Sequence, residues 1–168
     1  SLGERISEGS RSKCGSFDLA DGPSGDIADD TVWDRIMRDL NRGLYWGVFA
    51  SPPCSTHSGV PNVAPGPPPF RGTEGPDRYG YKGLRPDHLK QVRMHNLIAV
   101  RVAVALSIVC HQGGLFLFEN PAFVPGQVSI YNLDEYQRIR QLVGVDMITS
   151  VQCTMGGNTA KLTTWMCK

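Results

Sequence analysis

At 168 residues, 40% hydrophobic and 20% charged, the chain has the length and composition of one compact domain with a real hydrophobic core. Its net charge of +1 supplies no global basic field of the kind that announces a nucleic-acid partner. Five cysteines (Cys14, Cys54, Cys110, Cys153, Cys167) form an odd count with no C-x-x-C pair. That speaks against a disulfide framework or structural zinc site and for a reducing intracellular compartment, cytoplasm or nucleus.

Residues 1–15, rich in Ser, Gly and charge, read as a flexible arm; they lack the apolar run of a signal peptide. Ser16–Ala20 reads as a short strand ending in the turn formers Asp21-Gly22-Pro23, and Gly25-Asp26-Ile27 as a second short strand or turn. Asp30 is placed to cap a helix, with Val32, Ile36 and Leu40 at i, i+4, i+8 and Gly43 as the stop. Leu44–Ala50 then reads as a strand buried on both faces, running straight into Ser51-Pro52-Pro53-Cys54.

Residues 55–86 show no period and abound in Gly and Pro, the mark of a functional or disordered loop. Asp87 to Gln112 reads as a long helix stopped by Gly113-Gly114, its second half apolar nearly all round and so sandwiched in the core. The most apolar part, Leu97 to Cys110, is shorter than a membrane span and carries Arg101, so no membrane is expected. Leu115–Phe118 reads as a buried strand delivering Glu119-Asn120-Pro121. A helix from Leu133 to Val143 follows, capped by Asn132, with Tyr136, Ile139 and Val143 on one face. Met147–Cys153 and Lys161–Cys167 read as closing strands. This alternation predicts an α/β fold: a mainly parallel sheet with helices on both faces and ligands at the carboxyl ends of the strands.

The chemically distinctive residues fall just past those strand ends. Cys54 follows two prolines, and the fixed φ of Pro53 makes a stiff support for a thiolate nucleophile; alternatively Cys54 is a small buried hydrophobe. Glu119 ends an apolar strand, where burial would raise its pKa towards proton donation; alternatively it caps a turn or pairs with an Arg. Asp26 could accept from an adenine amino group or a ribose hydroxyl, or be an ordinary turn aspartate. His57 is expected as an exposed loop histidine. A hydrolase using Cys54 and His57 would lack an orienting acid. His88, His95 and His111 show no ligand spacing with the cysteines, so no metal is expected.

Gly25-Asp26-Ile27, then Ser51-Pro52-Pro53-Cys54-Ser55-Thr56-His57-Ser58, then Glu119-Asn120-Pro121 resemble, in order and spacing, the core motifs of DNA cytosine-C5 methyltransferases. The likeness is to short, divergent members from phage and mobile elements, and extends to Cys153-x-x-Gly156, Lys161-x-Thr163 and, loosely, Arg71 and Asn96. It implies a Rossmann-like methyltransferase core over residues 16–168, with 55–86 as the active-site loop that closes over a flipped base.

It also implies roles. Cys54 would add to C6 of cytosine, with Pro53 shaping its loop and Glu119 contacting N3 and the exocyclic amine. C5 would take the methyl group of S-adenosylmethionine. Asp26, Asp18 and Ile27 would face that cofactor, and Asn120, Ser55, Arg71 and Lys161 the DNA. No F-x-G-x-G-type loop precedes Phe17 and no Q-x-R-x-R is present, so the core is expected to be incomplete. A second chain or domain would then supply the cofactor loop and target recognition. A catalytically silent nucleic-acid-binding or assembly module on the same fold is the alternative.

Overall fold

The computed structural model describes residues 15–58, 69–151 and 161–168. The chain divides into two compact units, Ser1–Arg38 and Asp39–Lys168. The first contains no strand among its described residues. Asp18 Oδ1 accepts from the Ala20 amide at 2.9 Å and starts a 3-10 turn over Leu19–Asp21; a second turn, Pro23–Gly25, follows. A side-chain acceptor that captures a nearby amide competes with sheet formation, so the strand expected at Ser16–Ala20 is replaced by an Asx turn. Gly25 lies against this turn, where an added Cβ would stand 2.2 Å from the Asp18 carbonyl oxygen.

Helix α1 spans Asp30–Asn41, with Val32, Ile36 and Leu40 buried as their spacing predicts. Its cap is Asp29 rather than Asp30: Asp29 Oδ1 accepts from the amides of Thr31 and Val32, at 2.8 and 3.0 Å.

The second unit is built on a mixed four-stranded sheet of β1 (Gly47–Ala50), β2 (Leu115–Pro121), β3 (Asp146–Val151) and β4 (Leu162–Cys167), in the order β1-β2-β4-β3. β1 and β2 pair in parallel, while β4 runs antiparallel to both of its neighbours. The fold is therefore α/β, but the expectation of a mainly parallel sheet is corrected. β1, β2 and β3 share one direction, yet the reversed β4 between β2 and β3 leaves a single parallel pairing.

Helix α2 (Pro86–His111) joins β1 to β2 and packs on both, while α3 (Asp134–Ile139) packs on α2. α2 is long and apolar enough to cross a membrane by length and composition alone, more so than its sequence suggested. Its buried residues, among them Ala99, Val102, Leu106 and Val109, are those of a core helix. On the covered face of the sheet Phe118 meets Tyr136 (centroids 4.7 Å) and Tyr131 (5.5 Å), and the Tyr136 hydroxyl donates to the Ala99 carbonyl at 2.9 Å. These rings lock β2, α2 and α3 together through large apolar burial with satisfied hydroxyls.

Helix α3 is shorter than its predicted span of Leu133 to Val143. A 3-10 turn at Ile130–Asn132, capped by the Ser129 hydroxyl, replaces the Asn132 cap. The chain leaves the helix after Ile139, and Val143 stands 92% exposed. β1 is also shorter than predicted and is not buried on both faces: Phe49 is 50% exposed. Among the described residues of this unit, the helices lie on one face of the sheet.

Candidate functional site

The parallel register of β1 with β2 aligns Ala50 with Phe118. Carried two residues further, the same register sets Ser51 beside Glu119 and Pro52 beside Asn120. Two hydrogen bonds fix this alignment. The Ser51 hydroxyl donates to Glu119 Oε2 at 2.6 Å, and Asn120 Nδ2 donates to the Pro52 carbonyl at 3.2 Å. The turn that follows is closed by the His57 amide donating to the Cys54 carbonyl at 2.8 Å. Pro52 is buried, Pro53 and Ser55 are exposed, and Cys54 is half-buried with a free thiol.

The reversed direction of β4 brings Lys161, the residue before it, to the same edge of the sheet. Lys161 Nζ donates to Glu119 Oε1 at 3.2 Å from a partly exposed position. Glu119 is 7% exposed, so its two carboxylate oxygens are held by one hydroxyl and one ammonium inside a mostly dry site. Asn120 is 1% exposed, and its Oδ1 has no partner among the described residues, nor does the buried hydroxyl of Thr163. Cys153 and Gly156 lie outside the described residues.

Behind the Cys54 turn is a buried polar network that the sequence did not announce. Arg71 is 1% exposed. Its Nη2 donates to the Thr56 hydroxyl at 2.8 Å, and its Nη1 to Asn96 Oδ1 at 2.8 Å and the Arg78 carbonyl at 3.0 Å. Asn96 Nδ2 in turn donates to the Tyr79 carbonyl at 2.7 Å, and Thr56 Oγ1 meets His95 Nδ1 at 3.0 Å. Burial lowers the Arg71 guanidinium to about 10. Its assignment to the DNA surface is corrected: the guanidinium faces inward and braces the turn that carries Cys54.

The later part of the expected loop is structured as well. Residues 69–85 contain a 3-10 turn, Gly75–Tyr79, tied to α3 by Arg78 donating to Asp134 and Tyr79 donating to Glu135. Residues 59–68 lie outside the described residues.

His57 overturns its expectation too. It is 1% exposed, stacks on His95 with centroids 6.4 Å apart, and neither ring nitrogen has a partner among the described residues. Its imidazole therefore makes no hydrogen bond to Cys54, which removes the support for a Cys54–His57 hydrolase. Burial, then the charge of Arg71, then His95 push its pKa from 6.5 down to about 2. A base whose folded pKa is depressed contributes stability above its unfolded pKa and loses it as pH falls through the window between the two. From this residue, stability should thus fall as the pH drops below 6.5 towards about 2. His95, lowered by burial and then by Arg71, acts in the same direction. Urea unfolding of the parent chain and of His57→Gln at neutral and mildly acid pH checks this; the substitution should flatten the dependence.

Asp18, Asp26 and Ile27, the expected cofactor contacts, lie in the first unit. Asp26 Oδ1 accepts from the Ala28 amide at 2.9 Å, as Asp18 Oδ1 does from Ala20. Both are turn aspartates, which for Asp26 is the second of the two readings open from sequence. No described residue in this segment presents a buried unpartnered acceptor, and the one tight glycine, Gly25, packs on the Asp18 backbone rather than framing a cradle. These residues do not fit S-adenosylmethionine. No group of three or more His, Cys, Asp or Glu arranged for a metal occurs among the described residues.

Sequence reasoning missed Ser51, Thr56 and His95. For Ser51 a signal existed in the equal run-on of two parallel strands, but it needed the register to be read. The chain matches no family model, no curated protein and no solved structure.

Proposed function

We propose that this chain activates cytosine in DNA for methylation at C5, through covalent addition of Cys54 to C6 of a flipped-out base. The single observation that supports this reading is the pair of hydrogen bonds, Ser51 to Glu119 and Asn120 to Pro52, that ties the Cys54 loop to the Glu119-Asn120-Pro121 run. A nucleophile and a carboxylate held at one sheet edge by adjacent parallel strands suit a planar substrate lying between them.

In this reading the Cys54 thiolate forms the bond to C6 and the electron pair of the C5–C6 double bond moves into the ring. Glu119 accepts from the exocyclic amine and holds a proton at N3. Cytosine's donor edge takes the place of the Lys161 ammonium on Glu119 Oε1, and Lys161 then neutralises charge that builds on the ring. Asn120, which points to the face of β2 opposite Glu119, serves by holding the Pro52 carbonyl and with it the Cys54 loop. Ser55, exposed after Cys54, faces the DNA strand. S-adenosylmethionine is the methyl source that the family resemblance implies. Since Asp18, Asp26 and Ile27 do not fit it, the chemistry assigned to these residues ends at the activated ring, with the donor site on a second chain or domain. The reaction belongs to a reducing intracellular compartment, where the Cys54 thiol stays free.

One observation favours the silent module instead: both Glu119 oxygens already have partners. Incubation with a mixed-sequence DNA pool carrying pyrimidin-2-one, a cytosine analogue with an electrophilic C6, separates the two. The expected result is a protein–DNA adduct that maps to Cys54. Absence of an adduct, or adducts on other cysteines alone, would overturn the catalytic reading and leave the silent module.

A further inference from the structure

Alternation along the strands divides the sheet into two unlike faces. One carries Phe116, Phe118 and Met166, buried to 3% exposure or less. The other carries Phe49, Leu115, Leu117 and Ile148, exposed to 50%, 53%, 38% and 56%, with Trp165 and Cys167 between them. The register makes these residues neighbours: Phe49 aligns with Leu117, Leu117 with Cys167, and Trp165 with Ile148. Scattered exposed leucines need no explanation, but a contiguous apolar face on a central sheet does.

We propose that this face packs against the same face of a second copy of the chain. The size fits. These side chains leave on the order of 500 Å² of apolar surface per copy, close to the apolar share, about 65%, of the ~800 Å² that each partner of a standard interface buries. The charge fits as well. The net charge of +1 gives little repulsion between copies, and the strand residues of this face include no Lys or Arg that would suit a nucleic acid. Of its two carboxylates, Asp146 lies on the edge strand β3, and Glu119, beside Trp165, is already paired with Lys161.

The pattern is also self-complementary, as a two-fold interface requires. With the axis along the strands, β1 of one copy lies over β3 of the other, so Phe49 stands over the stretch from Asp146 to Ile148. The paired β2 and β4 strands then stack Leu117 on Cys167 and Trp165. Two such faces can approach to about 10 Å with strands within about 30°, as in a sandwich.

Analytical ultracentrifugation of the whole chain tests this directly. At about 100 µM, well above the dissociation constant of a micromolar interface, the parent is expected at twice its 18.4 kDa. Phe49→Lys and, separately, Ile148→Lys should each weaken association at least about tenfold, with circular dichroism unchanged and Met94→Lys on the exposed side of α2 leaving the dimer intact. A monomeric parent at that concentration overturns the proposal and assigns the face to a different polypeptide. A dimer that survives both sheet substitutions, or that Met94→Lys breaks, overturns it equally.

Discussion

Cys54→Ala should abolish exchange of the cytosine C5 hydrogen with solvent, by at least about 10⁴-fold, the scale of removing a covalent nucleophile. The exchange follows from the proposed addition and needs no methyl donor. Once the thiolate has bonded to C6, C5 carries the displaced electron density and takes a deuteron from water. Loss of the original C5 proton and expulsion of the thiolate then restore cytosine, now deuterated. Glu119→Gln keeps the size and the acceptor oxygen but cannot hold the proton at N3, so exchange should fall by about 10²- to 10³-fold. Mass spectrometry of nucleosides from DNA incubated in heavy water reads both variants. Equal exchange by parent and Cys54→Ala would sink the proposed chemistry whether or not a methyl-donor partner exists.

Arg71→Ala should destabilise the chain by about 3–5 kcal/mol, a large part of the 5–15 kcal/mol typical of a domain. The guanidinium is buried and its three bonds span the Cys54 turn, α2 and the segment before Tyr79. Removing it leaves the Thr56 hydroxyl, the Asn96 amide oxygen and the Arg78 carbonyl without their donor, and a cavity in place of a large side chain. Arg71→Lys should recover only part of the loss. An ammonium can sit on one of those acceptors, whereas the planar fork reaches separate ones. Urea unfolding measures both variants; a loss below about 1 kcal/mol for Arg71→Ala would show that the network is not a brace.

The legibility of this chain in its sequence divides along physical lines. Periodicity located α1 and α2 within a residue or two, because Val32, Ile36 and Leu40 and the apolar half of α2 repeat with the helix itself. The stiff Pro52-Pro53-Cys54 exit and Glu119 at the end of an apolar run are also local patterns. Both were legible, and the strands do carry them to one edge.

Other properties depend on partners distant in the chain. The reversal of β4 follows from pairing with β2 and β3, and no residue of Leu162–Cys167 encodes that direction by itself. The same reversal, not any local signal, delivers Lys161 to Glu119 across 42 positions. Arg71 and His57 read as polar loop residues because sequence composition records polarity, not enclosure. Burial is decided by what folds over a residue, here α2 through His95 and Asn96 and the segment leading to Tyr79. Asp18 shows the converse: a carboxylate that captures its own backbone two residues on makes a turn where a strand was expected. The sequence by itself determined which segments are helical, which are apolar and which residues bear reactive groups, since these depend on neighbours within one or two turns. Tertiary structure alone decided strand direction, which sheet face is covered, and whether each polar group meets water or another side chain, because those rest on contacts between distant segments.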